Sequence, residues 1–329
     1  MSLIDLWIKE PIMIGGRRSL ISKNVCSNMI GSMVKKGMAL AIALALFVGF
    51  AGVILTGCSS RPASFTDGAG RTFELKETPK KIVSLSPAHT EILFALGLGD
   101  KVVGVSNWCN KPEEALEKEK VGDAFSLNKE KLAALKPEIV FIPGTADSPQ
   151  VKEIEDLGIA VYVSNPASVA EVLEDIQRVA KAAGVEKKGK DLSEKLEKEL
   201  GTLSDSLAKQ AGSKPTVLVV LDQELWTVGP GSFMDDVLSR AGGENIVKDV
   251  EMQYLQVSME EVLDKDPDVI LVTIPEDQIA GLKSRPGWSE LRAVQGGRVC
   301  FVDGDLTSRP GPSIADGVKE IARYLYPEK

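Results

Sequence analysis

The sequence predicts an α/β fold: two doubly wound parallel-sheet lobes joined by one long bridging helix. Three observations predict it. A charged run over residues 186–210 places Leu192, Leu196, Leu200, Leu203 and Leu207 three or four apart, one apolar stripe on a helix. About 24 residues at ~1.5 Å rise make a rod on the order of 36 Å long, with Gly189 and Gly201 as weak spots. Residues 127–142 and 257–272, on either side of this run, match position by position: a capping residue, a short helix, Pro plus an acid, then an apolar run. Finally, β and α signals alternate at short spacing through both halves, the signature of parallel strands with crossover helices.

Each element has a local cause. Asn128 and Ser258 are good helix caps, and Ser258 with Glu261 forms a capping box. Pro137 and Pro267 halt those helices and release the chain into buried strands. Residues 65–76 read as a small hairpin turning at Asp67-Gly68-Ala69-Gly70. Residues 81–85 are a strand; Ser86-Pro87 opens a helix that Gly97 ends. Strands follow at 102–105, 139–142 and 159–163, and Ser168 with Glu171 makes a further capping box before a helix. The second half has a strand at 216–221, an extra hairpin around Trp226-Thr227-Val228-Gly229, and a helix over 233–240. It closes with helical turns over 279–291, a strand at 298–303 and a final helix over 313–324.

The chain opens differently. Residues 1–32 have no periodicity leading into a fold and read as a disordered start-site extension. Residues 33–57 carry a basic start and an apolar run, a signal peptide ending in what resembles a bacterial lipobox at Leu55-Thr56-Gly57-Cys58. Cys58 is then the lipidated N-terminus, with 58–80 as tether and hairpin; a transmembrane anchor with a chance cysteine is the alternative. The lobes are expected over 81–167 and 212–329, with 168–211 bridging them. Lys+Arg falls from 39 to 33 and Asp+Glu from 47 to 45 on removal of residues 1–57, a mature charge of −12. So acidic a body argues against nucleic acid as a partner and would be held at a membrane by its lipid, not by charge.

The chemistry-bearing residues are few. Four cysteines are too scattered for a disulfide framework, and one histidine, His89, cannot make a His-based metal site. No metal site is expected, Cys109 and Cys300 read as free buried thiols, and His89 reads as a local hydrogen-bonding residue. The glycines of Gly97-Leu98-Gly99 and Gly229-Pro230-Gly231 serve caps and turns, not a dinucleotide. In doubly wound sheets ligands sit beyond the carboxyl ends of the strands. The loops there hold Ser86, Pro87, Trp108, Phe125, Trp226, Tyr254, Asp305 and Arg309. With aromatic residues only 5% of the chain, four rings at such mouths point to a large, flat, mostly apolar ligand. The bland alternative is that each ring plugs its own lobe's core.

These residues carry a family likeness. Residues 82–93, Ile-Val-Ser-Leu-Ser-Pro-Ala-His-Thr-Glu-Ile-Leu, the Gly-Val-Ser-x-x-Cys-Asn-x-Pro-Glu-Glu-Ala run at 104–115, residues 128–140 and Arg309-Pro310-Gly311-Pro312 resemble the helical-backbone (class III) substrate-binding proteins of ABC importers. The likeness spans about residues 65–327. Cobalamin-binding members look nearest, through Ser-Pro-Ala-x-Thr-Glu, Cys-Asn-x-Pro-Glu-Glu-Ala and Gly242-Gly243-Glu244-Asn245-Ile246.

The resemblance implies a monomeric, non-catalytic receptor, anchored outside the cytoplasm, that delivers cobalamin or a related corrinoid to a permease dimer and its ATPase, with no cofactor of its own. It implies that Trp108, Phe125, Trp226 and Tyr254 line the corrinoid site, that Asp305 and Arg309 offer polar contacts, and that Glu130 and Glu260 dock on permease arginines. Phe125 stands beside the position of an expected tryptophan and Tyr254 replaces one, which keeps ferric siderophore and haem open. Anionic chelates would call for several Arg or Lys at the mouth, where Arg309 is the one arginine placed. An enzyme acting on a metal chelate or tetrapyrrole would have only His89, Asp305 and Cys109 to work with.

Overall fold

A computed structural model describes residues 63–209 and 212–327. The expected signal segment and Cys58 lie outside these residues, as does Gln210 at the expected end of the bridging helix. The hairpin forms from β1 (Ala63–Thr66) and β2 (Thr72–Leu75), paired antiparallel. One Asp67 oxygen accepts from Ala69 N and Arg71 N at 3.1 and 2.8 Å, which shapes the turn. Its other oxygen accepts from Val163 N at 3.2 Å and stitches the hairpin onto the first lobe.

That lobe runs β3 (Ile82–Ser84), α1 (Pro87–Ala95), β4 (Val102–Val105), β5 (Glu119–Lys120), α2 (Lys129–Leu135), β6 (Ile139–Pro143), α3 (Pro149–Glu155) and β7 (Ala160–Ser164). The sheet is parallel, in the order β5-β4-β3-β6-β7. Because β3 lies between β4 and β6, the chain reverses direction there and leaves a crevice at the carboxyl end of β3. Then come α4 (Val169–Ala182) and the bridging helix α5 (Glu186–Leu207).

The second lobe has β8 (Thr216–Val220), β9 (Trp226–Val228), α6 (Phe233–Arg240), β10 (Glu244–Asn245), β11 (Tyr254–Gln256), α7 (Met259–Lys265) and β12 (Val269–Val272). It ends with α8 (Glu276–Lys283), α9 (Arg292–Gln295), β13 (Val299–Phe301), α10 (Gly304–Thr307) and α11 (Ile314–Leu325). Its parallel sheet has the order β10-β8-β12-β13.

The repeat is real in three dimensions. Both α2 and α7 have 7 residues and are capped at their starts, Asn128 Oδ1 taking Lys131 N and Ser258 Oγ taking Glu261 N. Both end on a left-handed residue, Lys136 (φ 52°) and Asp266 (φ 37°), because the proline that follows disfavours a right-handed helical residue before it. Each then feeds a strand that pairs with the first strand of its lobe.

Four expectations need correction. The capping box at Ser168 is only half formed: Ser168 Oγ takes Glu171 N, but the Glu171 carboxylate takes Ala167 N at 2.7 Å, one residue earlier. The hairpin around Trp226 is no local hairpin; β9 pairs antiparallel with the distant β11, because Gly229 leads on toward α6 and its backbone packs against Met252. Gly189 is no weak spot: a Cβ there would lie 2.2 Å from the Ala180 Cβ, so its lack of a side chain lets α5 lie close on α4. Cys300 is half-buried, whereas Cys109 is buried.

The bridging helix does more than space the lobes. Leu196 and Leu200 are buried in one apolar cluster that also takes in Ile92 and Leu93 of α1, Ile176 and Val179 of α4, Val237 of α6 and Val318 of α11. Each such leucine is worth about 1.5–3 kcal/mol on burial. A shared core, not a bare rod, therefore fixes one lobe against the other.

Candidate functional site

The crevice at β3 opens into a cleft of about 510 Å³. Its floor is built by the first lobe: Ser86, Pro87 and His89 at the start of α1, Pro143 at the end of β6, and Ser164 to Pro166 at the end of β7 and beyond. Ser86 Oγ caps α1 by accepting from His89 N at 3.3 Å, and Pro at the first helical position spares an unbonded N–H. The second lobe contributes Asp305, Ser308 and Arg309 from α10 and the loop beyond it.

All four predicted rings are exposed, which excludes the core-plug alternative; Phe125 is 91% and Trp108 68% accessible. Trp108 lines the cleft, whereas Phe125, Trp226 and Tyr254 stand outside its wall. Aspartates set three of them. Asp123 Oδ1 accepts from Phe125 N and Ser126 N at 2.8 and 2.7 Å, and these bonds, helped by one from the Trp108 side chain, hold its carboxyl below its ordinary value. Asp222 Oδ1 accepts from Glu224 N and Trp226 N at 2.9 and 3.1 Å, with Leu225 left-handed at φ 63° between them. Pairing of β9 with β11 sets Trp226 opposite Gln256 and Val228 opposite Tyr254, so both rings lie on one face of the ribbon. Lys120 Nζ donates to the carbonyls of Ser106 and Cys109, pinning the loop that presents Trp108.

Arg309 is buried and committed. Its Nη1 donates to Glu91 Oε1 at 2.8 Å and Asn110 Oδ1 at 3.1 Å, and its Nη2 pairs with Asp305 Oδ2 at 2.8 Å. Burial opposes the charge of Asp305, yet hydrogen bonds from Asn110 and Arg309 bring its carboxyl below the ordinary value. The one guanidinium lining the cleft is thus neutralised by two carboxylates.

His89, 2% exposed, belongs to a buried network. Tyr162 Oη donates to Asp175 Oδ1 at 2.6 Å and Ser164 Oγ to Asp175 Oδ2 at 2.8 Å. With its own proton spent, Ser164 Oγ accepts from His89 Nε2 at 2.7 Å. Nε2 therefore carries a proton. Burial disfavours the Asp175 charge, but the bonds from His89, Tyr162 and Ser164 outweigh it and keep the carboxyl below its usual value; burial and Asp175 push the Tyr162 phenol up. Ser, His and Asp meet here without forming a hydrolytic triad. Serine and aspartate share one ring nitrogen, Nε2, while Nδ1 has no partner among the described residues, so no carboxylate there backs a base. Cys109 is inert, its thiol held by Thr90 and Ser106 hydroxyls at 3.1 Å. Burial raises the Cys300 thiol above its ordinary value.

Glu130 and Glu260 are exposed, each the second residue of its repeated helix, and neither carboxylate has a partner among the described residues. No group of acids, His or Cys among those residues could hold a metal ion. Sequence reasoning gave no role to Glu91, Asn110 or Asp123, and missed Asp175 and the loop at Ser164. The last had a readable signal, since it follows the final strand of the lobe at its carboxyl end.

Comparison with known proteins places this geometry. A family model described as periplasmic binding protein matches residues 82–306. The ABC transporter substrate-binding lipoprotein YvrC of Bacillus subtilis strain 168 is 35% identical over 274 residues, 81% of this chain and 86% of that one. The crystal structure of the periplasmic vitamin B12 binding protein BtuF of Vibrio cholerae superposes with a TM-score of 0.66 at 32% identity, covering 75% of this chain and 97% of the other. The periplasmic heme-binding protein RhuT from Roseiflexus sp. RS-1, in apo form, gives 0.69 at 27%, covering 75% and 98%.

Proposed function

The chain belongs to the periplasmic binding protein family and is a substrate-binding receptor of an ABC importer, not an enzyme, and we propose that its ligand is cobalamin or a related corrinoid. The observation that carries the choice of ligand is the state of Arg309. Propionates of haem, or the negative charge of many ferric siderophores, need unpaired cations, and the guanidinium in this cleft is already met by Glu91 and Asp305. A large chelate without strong negative charge suits a mouth of exposed rings, which offer area at low entropic cost.

In this reading Trp108 and Phe125 from one lobe, and Trp226 and Tyr254 from the other, hold the ligand's broad faces, while Ser86, Pro87, Asp305 and Arg309 meet its edge. The shared core keeps the lobes in register, so binding draws on a preformed cleft and orders little. Glu130 and Glu260, matched in the repeat and unpaired, then set the receptor's register on permease arginines. In this reading a signal peptide at 33–57 directs export and a lipid on Cys58 keeps the receptor at the membrane; no helix among the described residues is long and apolar enough to cross one.

Calorimetric titration of the purified protein with cyanocobalamin, hemin and a ferric hydroxamate tests the ligand. Saturable binding of the corrinoid, with the other two much weaker, is expected. Tight hemin binding with no response to cyanocobalamin would overturn the corrinoid and favour haem.

A further inference from the structure

Glu91 lies inside α1, in the first lobe, and no ring or loop of the mouth includes it. Yet both of its oxygens bind the second lobe. Oε1 accepts from Arg309 Nη1 at 2.8 Å and Oε2 from Ser313 Oγ at 2.6 Å. Glu91 is 8% exposed and Arg309 7%, so this is a buried pair between groups 218 residues apart. A ring of bonds surrounds it: Arg309 to Asn110, Asn110 Nδ2 to Asp305 at 2.9 Å, and Asp305 back to Arg309.

The segment that Glu91 grips has little else to hold it. Between Arg309 and Ser313 run Pro310, Gly311 and Pro312; the two prolines have no N–H to donate. Gly311 N bonds only back to Arg309 O, two residues earlier. Its backbone lies against α1, where a Cβ on Gly311 would come 3.4 Å from Ala88 O. Arg309 lines the front cleft, while Glu91, Lys111 and Pro312 line a second cavity of about 420 Å³ behind the pair. One member of the pair thus lines each space.

We infer that Glu91 is a positioning residue of the cleft. It holds the arm that carries Asp305 and Arg309 against the first lobe before any ligand arrives, and in doing so keeps Arg309 neutralised. This rests on the cleft being the ligand site, but the clasp itself is a property of the free protein. The shared core fixes the lobes as bodies; Glu91 fixes the part of the second lobe that would touch the ligand. Removing its charge leaves Arg309 buried with Asp305 as its one anionic partner, the kind of loss that releases a loop.

Hydrogen exchange read by mass spectrometry on the full chain without ligand tests this. In Glu91→Gln, the amides of Leu306, Thr307, Ser308, Gly311 and Ile314 are expected to exchange about tenfold faster or more, with a smaller rise in Ser313→Ala and none in β8 and β12. Unchanged protection over 306–314, or an equal loss throughout the fold, would overturn the inference. Should Glu91→Gln not fold, Glu91→Gln/Arg309→Gln removes both charges together and carries the same expectation. Cyanocobalamin affinity, measured in parallel, is expected to drop about tenfold or more in Glu91→Gln; an unchanged affinity would count against Glu91. Failure of the wild type to bind cyanocobalamin would instead strike the choice of ligand, and the exchange result would still decide the clasp.

Discussion

Asp175 shows how a single carboxylate organises the floor of the cleft. It accepts from Tyr162 and Ser164 and, through Ser164, orients the one histidine of the chain. Despite burial, the bonds it accepts hold its carboxyl in the folded state below the ordinary aspartate value. The folded state therefore binds fewer protons than the unfolded one near that pH, so the contribution to stability is complete above the unfolded value and is lost as pH falls through the folded one. Urea unfolding of wild type and Asp175→Asn checks this. At pH 7 the variant should be less stable by about 2–3 kcal/mol, the cost of a buried polar network left short of its charge. The gap should narrow between pH 5 and pH 3; a gap that stays constant or widens on acidification would contradict the assignment.

At the scale of elements, the two glycines of the bridging helix should behave in opposite ways. Gly189→Ala forces a methyl onto Ala180 across the α4–α5 contact, whereas nothing lies within 4 Å of a methyl on Gly201. Thermal unfolding should show Gly201→Ala stabilised by about 0.5–1 kcal/mol and Gly189→Ala destabilised by about 1–3 kcal/mol. Equal shifts would refute close packing at Gly189. Both glycines look alike in the sequence, because a helical stripe reports which face is buried and not how near the partner helix comes. The repeated helices, their caps and the strands after each proline were legible, since their causes lie within a few residues. The edge strands β5 and β10 were not, having two residues each and hence no period to read. The partner of β9 was missed for a related reason: it lies beyond α6, and pairing at that distance leaves no local mark.

The whole molecule adds what no segment contains. The place of Trp108 beside the cleft could be read from its position after β4, because that position follows from the order of β and α. The Glu91–Arg309 clasp and the His89–Ser164–Asp175 network could not, since they join residues from 11 to 218 positions apart through tertiary packing. For the proposed docking role, this scale also sets the geometry. Glu130 and Glu260 hold equivalent places in the two lobes, and the shared core fixes the distance between them. In a vesicle uptake assay with the cognate permease, Glu130→Gln/Glu260→Gln should lower uptake about tenfold or more while ligand affinity stays unchanged; full uptake by the double variant would remove these residues from docking.

In the proposed complex, two lobes in fixed register share one flat ligand between their exposed rings. A crystal structure of the protein with cyanocobalamin tests it most directly. The corrin ring should touch Trp108 of the first lobe and Trp226 or Tyr254 of the second, with Cα positions of each lobe and of the bridging helix within about 1 Å of the free protein. A corrinoid held by one lobe alone, or lobes swung apart around α5, would contradict the account.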